Sequence, residues 1–289
     1  MTPDPAAPAE SARLSAEQVT LGYGDTVVSR DLDFAVADRE VTAIIGPNGC
    51  GKSTLLRALG RLLRPGAGRI MLDGHPIRSV PPREVARTVA VLPQSPQAPP
   101  GLAVADLVAR GRHPHQSWYR QWSSADRAAV SHALRLTGML DCADRTLEQL
   151  SGGQRQRAWI SMALAQETDL LLLDEPTTFL DLAHQIEVLD LVRELNERHG
   201  RTVVMVLHDL NLAARYAHRL VAMCEGKVRA TGAAEEVLTP GLLNEVFGLR
   251  CAVIPDPVSG TPLVVPVGAH DTAPDAAAAA PGVPRSSAE

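Results

Sequence analysis

Lysine is almost missing from this chain: of 28 basic residues only Lys52 and Lys227 are lysine, and the rest are arginine. Aromatic residues make up 3%, so a core has to be assembled from Leu, Val, Ile and Ala. The four cysteines, Cys50, Cys142, Cys224 and Cys251, are scattered. With no C-x-x-C pair or zinc-like spacing they exclude a structural zinc site and fit free thiols in a reducing cytosol. No apolar run approaches the roughly 18 to 20 residues that cross a bilayer. The opening MTPDPAAPAESA lacks both a basic and an apolar leader region, so the chain is expected to be neither exported nor membrane-spanning by itself. A net charge of −5 and a pI near 6.0 exclude an overall electrostatic pull on nucleic acid.

What is present fits a globular protein: 289 residues, 45% hydrophobic and 21% charged. Residues 1–14 and 269–289 are rich in Ala, Pro and Ser without periodicity and read as flexible tails, which leaves 15–268 for the fold. VTAIIG (41–46) is a β-branched run ending in glycine, and KSTLLRALGRLL after it spaces Leu55, Leu56, Leu59, Leu62 and Leu63 as a helix would. TVAVLP (88–93), DLLLLD (169–174) and TVVMVLH (202–208) are continuous apolar runs, as strands covered by helices on both faces must be. Together they predict an α/β fold with a mainly parallel sheet. From about 95 to 160 the pattern turns helical, with Ser123 or Ser124 placed to cap SADRAAVSHALRL, so a helical subdomain interrupts the sheet. No second copy of the core follows.

The lone lysine of the first half lies in GPNGCGKST, made of Gly46, Pro47, Asn48, Gly49, Cys50, Gly51, Lys52, Ser53 and Thr54. Between a buried strand and a helix, this spacing is a phosphate-binding loop: glycines turn backbone amides inward, and the helix N-terminus adds positive potential. A compact ammonium fits inside such a loop where a planar guanidinium does not, which explains a lysine in an arginine-writing chain. A glycine-rich turn with an exposed lysine is the bland alternative, and the strand and helix on either side argue against it. Ser53 is placed to reach Mg²⁺. Cys50 reads as a small space-filler. LLLLDE puts Asp174 and Glu175 at the carboxyl end of a buried strand, where open α/β sheets bind ligands. Asp174 suits a Mg²⁺-orienting carboxylate and Glu175 a group that polarises the attacking water.

LSGGQRQR (150–157) offers a hydroxyl and open amides ahead of a helix, which taken alone is also an ordinary helix cap. It resembles the signature of ATP-binding cassette (ABC) ATPases. That resemblance implies a P-loop NTPase cassette with antiparallel strands at the N-terminal side, and ATP and Mg²⁺ as ligands. It implies two copies paired head to tail, so that Ser151, Gly152, Gly153, Gln154 and Asp181 of one complete the ATP site of the other. It further implies that Tyr23 stacks on adenine, that Gln94 contacts Mg²⁺ and the water, and that His208 meets the γ-phosphate and orders Glu175.

GRHPHQSWYRQWSSAD (111–126), EPTTFLD, HDLNLAARYAHRL and the closing GLRCAVIPDPVSGTPLVVPVG are similar to bacterial importers of ferric siderophores, haem and cobalamin, and most to the ferric enterobactin type. The resemblance implies a peripheral subunit at the cytoplasmic face of the membrane, driving a separate permease and, through it, a substrate-binding protein, with no nucleic acid partner. Haem or cobalamin uptake is the alternative within the class, and a non-transport ABC ATPase in translation or DNA repair the alternative outside it. His113 and His115 lack a third ligand at metal spacing and are expected to face the permease or solvent.

Overall fold

The computed structural model describes residues 12–116 and 122–268. The expected tails, apart from residues 12–14, and residues 117–121 of the histidine-containing segment lie outside the described residues. The fold begins with β1 (Leu14–Tyr23), β2 (Thr26–Val36), β3 (Val41–Ile45), α1 (Lys52–Leu59), β4 (Ala67–Leu72) and β5 (His75–Pro76). There follow α2 (Pro82–Thr88), β6 (Val89–Leu92), α3 (Val104–Arg110), α4 (Ser124–Leu136) and α5 (Gly152–Ala165). The second half runs β7 (Leu170–Leu173), α6 (Leu182–His199), β8 (Thr202–Val206), α7 (Leu210–Tyr216), β9 (Arg219–Cys224) and β10 (Lys227–Gly232). It closes with α8 (Ala234–Val237), α9 (Pro240–Phe247), β11 (Arg250–Pro255) and β12 (Pro262–Gly268). β1 thus starts one residue inside the expected tail: Leu14 is fully buried, and Arg13 pairs with Asp73 and Asp169.

The central sheet has the order β10-β9-β3-β8-β7-β6, in which β9, β3, β8, β7 and β6 run parallel and β10 returns antiparallel. A second, antiparallel sheet, β2-β1-β4-β5, lies at the N-terminal side, and β11 and β12 form a hairpin. Side chains alternate along the parallel strands between two apolar clusters. Ile44, Leu170, Leu172, Val204 and Val206 face the layer holding α1 and β1, while Ala43, Ile45, Leu171, Leu173, Val203 and Met205 face α3, α5 and α6. This double coverage is why the strands are unbroken apolar runs rather than alternating ones.

Leu55, Leu56 and Leu59 of α1 are fully buried, each contributing about 1.5 to 3 kcal/mol of apolar transfer. The helix is shorter than its leucine pattern predicts. It closes at Gly60, whose absent side chain would meet Val91 at 2.6 Å, and Arg61 takes a left-handed backbone, φ 61°. Leu62 is consequently 64% exposed instead of continuing the buried face. In the helical subdomain the cap of α4 falls on Ser123, whose hydroxyl accepts from the Asp126 amide while the Asp126 carboxylate accepts from Ser123, a reciprocal capping box. The helical region extends past the expected 160, to Ala165.

Candidate active site

Four neighbouring parallel strands end at one edge of the sheet. β3 leads into the glycine loop, β8 ends before His208, β7 before Asp174 and Glu175, and β6 before Gln94. In the loop, Gly46 and Gly51 hold φ of 153° and 105°. A side chain on Gly46 would strike the Met223 carbonyl oxygen at 2.2 Å, so the turn closes only on glycine. Lys52 is 5% exposed and folds back, donating its Nζ to the carbonyl oxygens of Gly46 at 2.8 Å and Pro47 at 2.9 Å. It therefore lies inside the loop, as a phosphate ligand requires. Cys50 is buried, and that burial raises its thiol pKa although Lys52 Nζ lies 4.0 Å from the sulfur, so it stays protonated and fills space. Ser53 and Thr54 open α1, with Gly51 as its cap residue.

Ser53 Oγ donates to Asp174 Oδ1 at 2.7 Å, while Asp174 Oδ2 is buried with no hydrogen-bond partner. Burial raises the Asp174 pKa against the opposing Ser53 bond. An orphaned carboxylate oxygen beside a hydroxyl is a set that a hard cation such as Mg²⁺ completes, and its charge would reverse the shift. Next to it, Glu175 has its side chain 9% exposed and collects three contacts. His208 Nε2 lies 2.7 Å from Oε1, and Gln94 Nε2 and Thr178 Oγ1 donate to Oε2 at 2.6 and 2.9 Å. Burial opposes ionisation of Glu175, but His208, Thr178 and Gln94 outweigh it and hold its pKa below the usual carboxylate value. Glu175 also adopts a left-handed backbone, φ 53°, a strain of order 1 kcal/mol that aims the carboxylate at this edge.

The expected adenine partner Tyr23 is 46% exposed at the end of β1, and its hydroxyl accepts from Arg57 of α1, which ties the ring to the glycine-loop helix. The signature residues form a separate group. Ser151 caps α5 by accepting from Gln154 N, and Gln154 Oε1 accepts from Ser151 N in return. A side chain on Gly153 would strike the His184 ring at 2.2 Å, so that glycine lets α5 abut α6. Asp181 caps α6, accepting from His184 N, and meets His184 Nδ1 at 2.7 Å. Ser151, Gly152, Gly153, Gln154 and Asp181 thus cluster at the starts of two helices, and no hydrogen bond joins them to the glycine loop among the described residues. His113 is exposed and His115 half-buried, and His115 Nε2 bonds the Gln166 carbonyl at 2.8 Å, which fastens its segment to the end of α5. Among the described residues no group of three or more His, Cys, Asp and Glu could hold a metal.

Three contributors escaped the sequence reading. Thr178 holds Glu175 and Arg57 holds Tyr23. Asn211 clasps the hairpin, its side-chain amide exchanging two hydrogen bonds with the backbone of Val264. Only the first carried a signal, a hydroxyl three residues beyond the glutamate within a turn.

A glycine loop, a strand-end Asp-Glu pair and a second capped helix carrying SGGQ, all set around one parallel sheet, define a nucleotide-binding cassette. The family model described as ABC transporter matches residues 29–178. The chain is 53% identical over 257 residues to the ferric enterobactin transport ATP-binding protein of Escherichia coli (strain K12), covering 89% of this chain and 95% of that one. It is 53% identical over 255 residues to a petrobactin import ATP-binding protein of Bacillus anthracis, covering 88% and 93%. A cobalamin import ATP-binding protein of Halobacterium salinarum is 40% identical over 242 residues, covering 84% and 60%. Among solved structures, an inward-facing ABC transporter described as of metal-chelate type superposes with a TM-score of 0.77 at 30% identity, covering 89% of this chain and 98% of that one. A dimeric cassette in a post-hydrolysis state bound to ADP and Pi superposes at 0.66 with 27% identity, covering 76% and 98%. The chain belongs to the ABC transporter family.

Proposed function

We propose that this chain is the ATP-hydrolysing subunit of a ferric siderophore importer, one cassette domain spanning about residues 15–268. It acts as a head-to-tail pair at the cytoplasmic face of the membrane, under a permease that is fed by a substrate-binding protein. No described helix is long and apolar enough to cross a membrane, so the path for the chelate would belong to the permease. The observation that carries the ATPase reading is the joint occurrence, at one sheet edge, of a lysine inside a glycine loop, an orphaned Asp174 oxygen and a triply contacted Glu175. The cargo reading rests on the two relatives of 53% identity, named for enterobactin and petrobactin, against 40% for the cobalamin one.

In this reading the loop amides and Lys52 bind the phosphates, Lys52 leaving the Gly46 and Pro47 carbonyls to do so. Tyr23 supports the base. Ser53, Asp174 and Gln94 would hold Mg²⁺, which when bound neutralises phosphate charge. Glu175, kept ionised by His208, Thr178 and Gln94, accepts a proton from the attacking water, and His208 is placed to sense the γ-phosphate. Ser151, Gly152, Gly153, Gln154 and Asp181, held by their own helix caps and not hydrogen-bonded to this chain's glycine loop among the described residues, complete the site of a second copy.

The test is uptake of radiolabelled iron on several siderophores by cells lacking the chain, with labelled haem and cobalamin as controls. Loss of one ferric siderophore, restored by wild type and not by Glu175→Gln, is the expected result. Intact iron uptake with failure of haem or cobalamin would overturn the cargo. No transport defect in a strain without a second importer would overturn the transport role.

A further inference from the structure

The side chain of His208 is 41% exposed, yet its ring sits 2.7 Å from Glu175 Oε1. A ring so open to solvent owes its position mainly to the backbone on either side of it. On the N-terminal side that backbone is β8, and Leu207 N donates to the Ile44 carbonyl oxygen at 3.2 Å, which ties it into the central sheet. On the C-terminal side it is α7, which at seven residues is too short to hold its place unaided. Asp209 caps α7, its carboxylate accepting from the amides of Asn211 and Leu212 at 2.9 Å. Leu212, Ala213, Ala214 and Tyr216 are buried, but apolar contact is non-directional and sets the depth of the helix rather than its rotation. Direction comes from polar contacts. At the far end of α7, Tyr216 donates its hydroxyl to Asp190 Oδ1 at 2.9 Å. At the end next to His208, the contact is made by Asn211.

Asn211 donates Nδ2 to the Val264 carbonyl oxygen at 3.3 Å and accepts from Val264 N at 2.7 Å. Its amide takes the place of a third strand on β12: Val264 stands opposite Val253 of β11, and its N–H and C=O are turned to the outer edge of the hairpin. Val264 is 5% exposed, and with Cys251 and Val253 it seats the hairpin on the same apolar core as Leu212 and Ala213. We propose that Asn211 is a positioning residue for ATP hydrolysis, bracing α7 against the β11–β12 hairpin and so holding the His208 ring against Glu175. One hydrogen bond would leave a hinge, whereas two bonds from a planar amide fix both the distance and the rotation of the first turn of α7. The proposal rests on the reading of Glu175 and His208 as the hydrolytic pair.

Asn211→Ala in the full purified chain tests this, by steady-state ATPase with Mg²⁺, by ATP titration and by NMR of ring-labelled histidine. The expected kcat is about tenfold lower, the order of loss when a hydrolytic group gives up two hydrogen bonds of support. The KM for ATP should stay within about twofold and the ATP-binding stoichiometry should match wild type, because Asn211 has no hydrogen bond to the glycine loop among the described residues. The His208 ring signal, identified by its loss in His208→Gln, should move, while those of His75 and His113, which lie on other elements, stay in place. An unchanged kcat, a rise in KM alone, a loss of turnover matched by a loss of ATP-binding stoichiometry, or a stationary His208 signal would each overturn the proposal. Full activity of Asn211→Ala beside an inactive Glu175→Gln overturns the brace alone, whereas turnover that survives Glu175→Gln overturns the hydrolytic reading beneath it.

Discussion

Arg112 is 4% exposed and its guanidinium closes the C-terminal end of the signature helix. Nε donates to Asp126 Oδ1 at 2.9 Å, and Nη1 to the Ala165 carbonyl at 2.7 Å and to Glu167 Oε2 at 2.6 Å. Replacing it with methionine keeps the apolar stem but leaves Asp126, 5% exposed, charged and short of a partner, and strips Ala165 of its donor. Removing one member of a buried pair costs about 3 to 5 kcal/mol. At about 2 to 4 °C per kcal/mol for a domain of this size, Arg112→Met should melt about 6 to 20 °C lower by calorimetry or circular dichroism. Asp126→Asn keeps the capping geometry while removing the charge, so the double variant should be more stable than the sum of the two single losses. The pH dependence has a definite sign. Burial pushes the Asp126 pKa up, but Ser123 and Arg112 overcome it and hold the folded value below the usual one. Its stabilisation is therefore complete above the unfolded value of about 3.9 and is lost as pH falls below that through the folded value. Arg112→Met should flatten that acid-side loss. A variant melting within about 2 °C of wild type would refute the reasoning, because an unpaired buried carboxylate cannot be that cheap.

Lys52→Ala should weaken ATP binding at least tenfold or so in equilibrium titration, since a charge-assisted phosphate contact is worth about 1.5 to 3 kcal/mol; unchanged affinity would remove Lys52 from the loop chemistry. Tyr23→Ala should raise the KM for ATP about 5- to 150-fold, the range of one stacking contact, with kcat little changed. Thr178→Val should lower kcat about tenfold by removing one of the donors that hold Glu175, and Thr178→Ser should restore it, as steady-state ATPase assays would show.

The phosphate loop, the Asp174–Glu175 pair and the parallel strands were legible because each is encoded locally: glycines at fixed spacing, and apolar runs ending in acids at one sheet edge. The end of α1 was not, because the leucine period continues through Leu62 and Leu63 while closure comes from Gly60 packing against Val91 of a distant strand. The His115 bond was illegible for a related reason: its partner is the carbonyl of Gln166, some fifty residues on, and a backbone acceptor leaves no trace in side-chain spacing. Arg57 and Asn211 share that difficulty, since the Tyr23 hydroxyl and the Val264 backbone that they hold lie far away in the sequence.

The central claim is that Glu175 is the group that activates water at an ATP site made from the edges of β3, β8, β7 and β6. Its most direct test is a paired measurement on purified wild type and Glu175→Gln: nucleotide affinity by titration and turnover by phosphate release, both with Mg²⁺. Glutamine keeps the size of the side chain but cannot accept the proton. The account predicts ATP affinity within a few-fold of wild type and turnover reduced by at least about a hundredfold, the lower range for removing a general base. Near-normal turnover in Glu175→Gln would contradict it.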